Sequence, residues 1–167
     1  TVIDGDVAIT ANDGFLFGNY RSDRARQIMR TILTTGAHIL CFSQYGEGLN
    51  ELCPALLPDE SIENTLGDVL ANNGLSQLRI AETEKYNHVT YFFDAERNVD
   101  FDSEKKILIP SPDVATFDMK PEMSAIEITD MLLSRKGDLD VIILNYANGD
   151  MVGHTGNLDA ATRAMEV

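Results

Sequence analysis

The stretch LDVIILNYANGDMVGHTG, residues 139–156, decides how the rest of the chain is read. Residues 139–147 are a continuous apolar run, the pattern of a strand buried on both faces of a parallel sheet. Residues 148–156 carry Gly149, Gly153 and Gly156, which are expected to let a loop fold tightly. Asp150 and His154 sit in that loop, at the carboxyl end of the strand, where doubly wound sheets bind their ligands. A carboxylate oxygen and an imidazole nitrogen suit Mn2+ or Zn2+. A capping Asp and a surface His in an ordinary turn would give the same letters, so the local pattern leaves both readings open. Two ligands do not complete a metal site, so the others must come from elsewhere.

Outward from this segment the chain alternates between strand and helix patterns. Strands are expected over 14–20, 37–44, 75–82 and 105–112. Helices are expected over 21–36, ending at Gly36, and over 61–74, capped by Asp59 or Ser61 and stopped at Asn73-Gly74. A helix over 121–137 has Pro121 at its first position and Arg135 and Lys136 at its end. The last, over 157–167, has Asn157 as cap. Residues 83–93 mix strand composition with a helical spacing of Tyr86, Val89 and Phe93, and the spacing tips the expectation to helix. The βαβα order predicts an α/β fold with a largely parallel sheet.

The 167 residues carry a formal net charge of −14, which argues against non-specific nucleic-acid binding. The charge is uneven: −2 over residues 1–58 and −12 over residues 59–167. The break coincides with the Gly- and Pro-bearing stretch 46–58, the best internal boundary. All four Arg of the first part fall between Arg21 and Arg30. On a helix, Arg21 and Arg24 would share the stripe of Ala25, Ile28 and Ile32, with Arg26 and Arg30 on the wet side. Guanidiniums at a helix N-terminus suit a phosphate or carboxylate; pairing with Asp23 inside the protein fits the pattern equally.

Lys85 follows the strand 75–82 and could neutralise a phosphate or simply be solvated. His88 could be a ligand or a hydrogen-bonded, partly buried imidazole. Met119, Met123, Met131 and Met151 read as core. Cys41 and Cys53 match no zinc-site spacing and are expected to be reduced. No stretch approaches the ~20 apolar residues that span a membrane. Neither nucleotide-loop signature nor a GxSxG elbow is present. The chain opens at Thr1 without Met and stops inside a helix pattern, so it is expected to be an internal piece of a longer protein.

Four stretches, taken together, resemble the cofactor-independent (2,3-bisphosphoglycerate-independent) phosphoglycerate mutases of the alkaline-phosphatase-like superfamily. They are GNYRSDRAR, NTLGDVLANNGLSQLRIAETEKYNHVTYFF, IPSPDVATFDMKPEMSA and NYANGDMVGHTG. They stand in family order and cover most of the chain. The resemblance implies interconversion of 3- and 2-phosphoglycerate, in glycolysis and gluconeogenesis, by a metal-activated serine through a phosphoserine intermediate. It implies two Mn2+ ions per complete site, with Zn2+, Mg2+ or Co2+ as substitutes, and a cytoplasmic, monomeric parent whose partner is the small-molecule substrate. By position, Asp150 and His154 match ligands of one metal, Lys85 a lysine that holds the phosphoryl group, and Arg21 and Arg24 arginines that bind phosphoglycerate. Residues 1–58 correspond to the end of the inserted phosphotransferase domain and residues 59–167 to part of the metal-bearing, phosphatase-like domain.

The sequence departs from the family at Gly149, where Pro is usual, and at Ser22, where Ala or Pro is usual. The paired glycines expected after the Phe run are absent from YFFDAERNVD. The serine nucleophile and the remaining metal ligands are also absent, so this chain alone is expected to be inactive and to hold metal weakly. The alternatives are another alkaline-phosphatase-like phosphohydrolase or phosphomutase, or a non-catalytic anion-binding module.

Overall fold

The computed structural model describes residues 8–167 except Tyr20, Glu47, Pro58, Asp59, Lys136 and Asp138, and the backbone alone of Ser22 and Asp23. Asp59 as a cap, Lys136 at a helix end and Asp23 as an arginine partner therefore lie outside what is described. The chain divides into two compact units, Thr1–Ser61 and Ile62–Val167. Among the described residues no helix is long and apolar enough to cross a membrane.

The first unit is a β-α-β segment: β1 (Gly14–Phe17), α1 (Ser22–Leu33) and β2 (His38–Cys41), with β1 and β2 parallel and Phe15 opposite Ile39. Helix α1 buries Ala25 and Met29 completely, with Ile32 and Leu33 partly covered, against Ile39, Cys41, Tyr45, Leu49 and Cys53. Each large side chain so buried contributes roughly 1.5–3 kcal/mol. The buried stripe is rotated from the expected one. Ile28 is 53% exposed, and Arg26, expected on the wet side, donates from Nε to the Tyr45 carbonyl at 2.7 Å. Met29 takes the core position because it lies one full turn from Ala25. Gly36 follows the helix with φ +81°, the left-handed conformation of a C-terminal stop. Cys41 and Cys53 are free and buried.

The second unit is built on three parallel strands in the order β4 (Glu104–Ile109), β3 (Gln77–Glu82), β5 (Val141–Asn145). Gln77 is opposite both Glu104 and Val141. Around the sheet stand α2 (Leu66–Asn72), α3 (Tyr86–Val89), α4 (Ala125–Leu133), α5 (Asn148–Gly153) and α6 (Leu158–Glu166). Leu78, Ile80 and Ile128 form one core, and Met123, Ala147, Val152, Ala160 and Ala164 a second. In the latter, two alanines one turn apart give α6 a flat face against α5.

Several boundaries differ from expectation. Strand β5 is not the one buried on both faces: it is the outer partner of β3, and Ile142 is exposed. The strand buried at every position is the central one, β3, although it carries Gln77, Arg79 and Glu82. Helix α2 is capped by Thr65, not Ser61, because Thr65 and Asp68 satisfy each other's backbone N–H groups in a capping box. Helix α4 starts at Ala125; residues 121–124 form turns in which Met123 takes φ +47°. Met123 is buried as expected, but Met119 is 68% exposed. Of residues 83–93, the first seven become helical, as a 3-10 turn over Thr83–Lys85 followed by α3, and residues 90–93 are turns. Asn157 caps α6 by accepting from the Ala160 N–H at 3.2 Å.

Arg79 is the largest charged group the fold encloses. Its Nε donates to Glu104 at 2.9 Å and its Nη2 to Gln77 at 2.9 Å and to Asp94 at 3.4 Å. The guanidinium lies over the Phe93 ring, 4.4 Å from its centroid. Lys106 stands 3.2 Å from the second oxygen of Glu104. A buried charge is tolerable only with this degree of pairing.

Candidate active site

Residues 148–153 are not a glycine loop but a short helix, α5, and only Gly156 of the three glycines takes a positive φ, +75°. The helix places Asp150 and His154 one turn apart on the same side, with the His154 N–H bonded to the Asp150 carbonyl at 3.1 Å. Their side chains converge as well: His154 Nε2 lies 3.3 Å from Asp150 Oδ1. The helix pitch, rather than glycine flexibility, sets this spacing.

Lys85 reaches the same carboxylate from the other element. It ends the 3-10 turn that follows β3, and its Nζ donates to Asp150 Oδ2. Two cationic or basic nitrogens therefore address the two oxygens of one carboxylate. The Lys85 ammonium holds the Asp150 carboxyl below the usual range, with lesser contributions from the charges of His154 and His88. Exposure is graded across the group: 12% for the Lys85 side chain, 49% for Asp150 and 76% for His154. The cluster thus opens to one side, with Lys85 as its floor. His88 is exposed and lies against the Phe92 ring, centroids 5.5 Å apart.

The pair fits a divalent ion as far as it goes. Two donors bound at about 2.1 Å and subtending a tetrahedral or octahedral angle stand roughly 3.0–3.4 Å apart; Asp150 Oδ1 and His154 Nε2 are 3.3 Å apart. One anionic oxygen and one neutral nitrogen suit Mn2+, Co2+ or Zn2+. Among the described residues no group of three or more His, Cys, Asp or Glu could hold a metal.

Arg21 and Arg24 belong to the first unit, at the start of α1, where Arg21 is the N-cap residue and both side chains are exposed. The second unit thus brings together Lys85, Asp150 and His154.

Sequence reasoning missed the residues beneath Lys85. Glu82, at the end of β3, is fully buried, and burial raises its carboxyl pKa, opposed by the Ser111 hydroxyl. Ser111 Oγ donates to Glu82 Oε2 at 3.0 Å and accepts from the Glu84 N–H at 3.4 Å, while the Ser111 N–H donates to Thr83 Oγ1 at 3.1 Å. The only sequence signal was the IPSP quartet, which fixes a serine between two prolines just past a strand.

A family model described as "Metalloenzyme superfamily" matches residues 15–167. The chain belongs to the metalloenzyme superfamily. Within this superfamily it is 46% identical over 179 aligned residues to the 2,3-bisphosphoglycerate-independent phosphoglycerate mutase of Ectopseudomonas mendocina, covering 99% of this chain and 35% of that protein. It is 47% identical over 174 residues to the 2,3-bisphosphoglycerate-independent phosphoglycerate mutase 2 of Methanosarcina acetivorans, covering 96% and 33%. A crystal structure of Leishmania mexicana phosphoglycerate mutase, determined at low cobalt concentration, superposes with a TM-score of 0.66 at 31% identity, covering 78% of this chain and 24% of that one. The chain spans about a third of the length of the curated relatives it matches. The parallel α/β architecture is that of the alkaline-phosphatase-like class, as the sequence predicts.

Proposed function

We propose that this chain is part of a cofactor-independent phosphoglycerate mutase that interconverts 3- and 2-phosphoglycerate, and that Lys85, Asp150 and His154 are its contribution to the phosphoryl-transfer site. The observation that carries the reading is the convergence of Lys85 Nζ and His154 Nε2 on the two oxygens of Asp150. The relatives named for this activity support it.

Asp150 and His154 would hold one divalent ion, Mn2+ by preference. When bound, the ion supplies Lewis-acid polarisation and lowers the pKa of a coordinated hydroxyl. Asp150 brings the negative charge, and the bond from Lys85 holds its carboxyl below the usual range. Lys85 presents a cation from the closed side of the cluster, where a transferring phosphoryl group needs its oxygens neutralised. A compact ammonium with three donors suits an oxygen cluster whose geometry changes during transfer. Arg21 and Arg24 would grip the carboxylate or phosphate of the glycerate, a task for the planar fork of a guanidinium. On this reading residues 1–58 end the substrate-binding domain and residues 59–167 form part of the metal-bearing domain. The serine nucleophile and the other ligands would come from the rest of the whole protein. The setting is glycolysis and gluconeogenesis in the cytoplasm, in a monomer.

The test is an enolase-coupled assay of the whole protein with 3-phosphoglycerate, without bisphosphoglycerate, in Mn2+ or EDTA. The expected result is Mn2+-dependent turnover that Asp150→Ala lowers by at least a thousandfold. Full turnover in EDTA, or in Asp150→Ala, would sink the proposal.

A further inference from the structure

We propose that Ser111 is the positioning residue that aims Lys85, an inference that deepens the reading of Lys85 given above and rests on it. Ser111 lies just past β4, the strand that neighbours β3, which leads to Lys85. From there it bonds to three consecutive residues: the Glu82 carboxylate through its hydroxyl, the Thr83 hydroxyl through its N–H, and the Glu84 N–H through its hydroxyl oxygen. These are the three residues that immediately precede Lys85. A side chain of four methylenes is aimed mainly by the backbone that carries it, and here one residue holds that backbone directly at the Glu84 N–H and holds the side chains of the two residues before it.

Ser111 is itself held. Pro110 and Pro112 flank it and fix the backbone φ on either side. The Pro110 carbonyl accepts from the Ser124 hydroxyl at 2.8 Å. Ser124 follows Met123, a fully buried residue in the left-handed region at φ +47°. A non-glycine residue in that region costs of order 1–3 kcal/mol and persists only where its surroundings require it. The strained turn, the Pro-Ser-Pro segment and the Glu82 carboxylate thus form one chain of contacts that ends at the turn carrying Lys85. Glu82 offers its Oε2 to Ser111 from complete burial, and the Ser124 N–H and hydroxyl also act on its carboxyl.

The hydroxyl is what matters in this account, because it both donates and accepts. Ser111→Ala removes two of the three bonds while keeping the backbone one; Ser111→Thr keeps all three. Displacement of a positioned group by about 1 Å can cost a hundredfold in rate. The experiment uses the whole protein in the coupled mutase assay, with Ser111→Ala, Ser111→Thr and Lys85→Met side by side. The expected result is a tenfold or greater loss of kcat in Ser111→Ala, with KM for 3-phosphoglycerate within about twofold of wild type and recovery of kcat in Ser111→Thr. A second readout needs no turnover. In the metal-free protein, the NMR signal of 13C-labelled Lys85 should move toward that of an exposed lysine in Ser111→Ala and remain in place in Ser111→Thr. Wild-type kcat and an unmoved Lys85 signal in Ser111→Ala, with Lys85→Met inactive, would overturn the inference and leave the Lys85 reading standing. Equal loss in Ser111→Ala and Ser111→Thr would also overturn it. Wild-type turnover in Lys85→Met would overturn the Lys85 reading, and the inference with it.

Discussion

Gly67→Ala separates two lines of physical reasoning by sign. Gly67 is the second residue of α2 and does not have a positive φ. Helix propensity alone therefore favours Ala, by up to about 1 kcal/mol. The structure says otherwise. A Cβ at this position would stand 2.8 Å from Asp94 Oδ1, 2.9 Å from Arg79 Nη2 and 2.9 Å from Phe101 Cε2. Two of those atoms form the buried 3.4 Å ion pair, and Arg79 is pinned by Gln77 and Glu104 as well. The methyl group cannot be accommodated by rotating a free side chain. Overpacking of this kind costs about 1–3 kcal/mol, and spreading a buried ion pair adds to it. Taking about 2 kcal/mol for the disturbed pair and subtracting a propensity gain of about 1 kcal/mol leaves a net destabilisation of roughly 2–4 kcal/mol, or about 30- to 1000-fold in the folding equilibrium. Denaturant dependence of hydrogen exchange at the β3 amides measures it where it acts. A variant as stable as wild type, or more so, would refute the account of Arg79 as a tightly packed centre.

Ala95 and Glu96 both have φ +59° in the turn after the Phe run; replacing each with Gly should stabilise the second unit by roughly 0.5–1 kcal/mol, read by chemical denaturation. Glu82 has its folded-state pKa raised by burial, so the unfolded chain loses its proton first as pH rises above ~4.3 and the wild-type fold loses stability through that window. Glu82→Gln lacks this titration, and its stability relative to wild type should therefore improve between pH 4 and pH 7, measured by denaturation across that range. The Cys41 thiol is pushed up to about 11 by burial, with Cys53 beside it; both thiols should resist a disulfide reagent at pH 8 and react only as the first unit opens, which stopped-flow labelling in increasing denaturant would show.

The elements of this fold are legible in the sequence because each strand is short, apolar and bounded by turn residues, and each helix repeats its apolar positions. The relative depth of the strands is not. Residues 139–147 are the most apolar run, yet β5 flanks the sheet within this chain, while the mixed segment QLRIAE lies at its centre. Hydrophobicity reports what a strand tolerates, whereas burial depends on its neighbours, here β4 and β5 on either side of β3. Arg79 was invisible for the same reason, since its partners Asp94 and Glu104 are 15 and 25 residues away. Asp150 and His154 were legible as a pair from their spacing, but three glycines suggested a loop where the backbone makes a helical turn. Lys85 was placed near the right strand end; that it touches Asp150 needed the structure, because the two are 65 residues apart.

Strand β3 is tied to β4 twice, by Arg79 to Glu104 in its first half and by Glu82 to Ser111 at its end. A strand that slipped along its neighbour by two residues would keep every side chain on its proper face and advance about 6.6 Å. Such a slip would carry Lys85 past Asp150 altogether. The two ties exclude it, because the charged pair and the hydroxyl pair can be made together in one register only. The enclosed guanidinium thus works as a gauge block, holding the distance along the strand that brings Lys85 to the carboxylate.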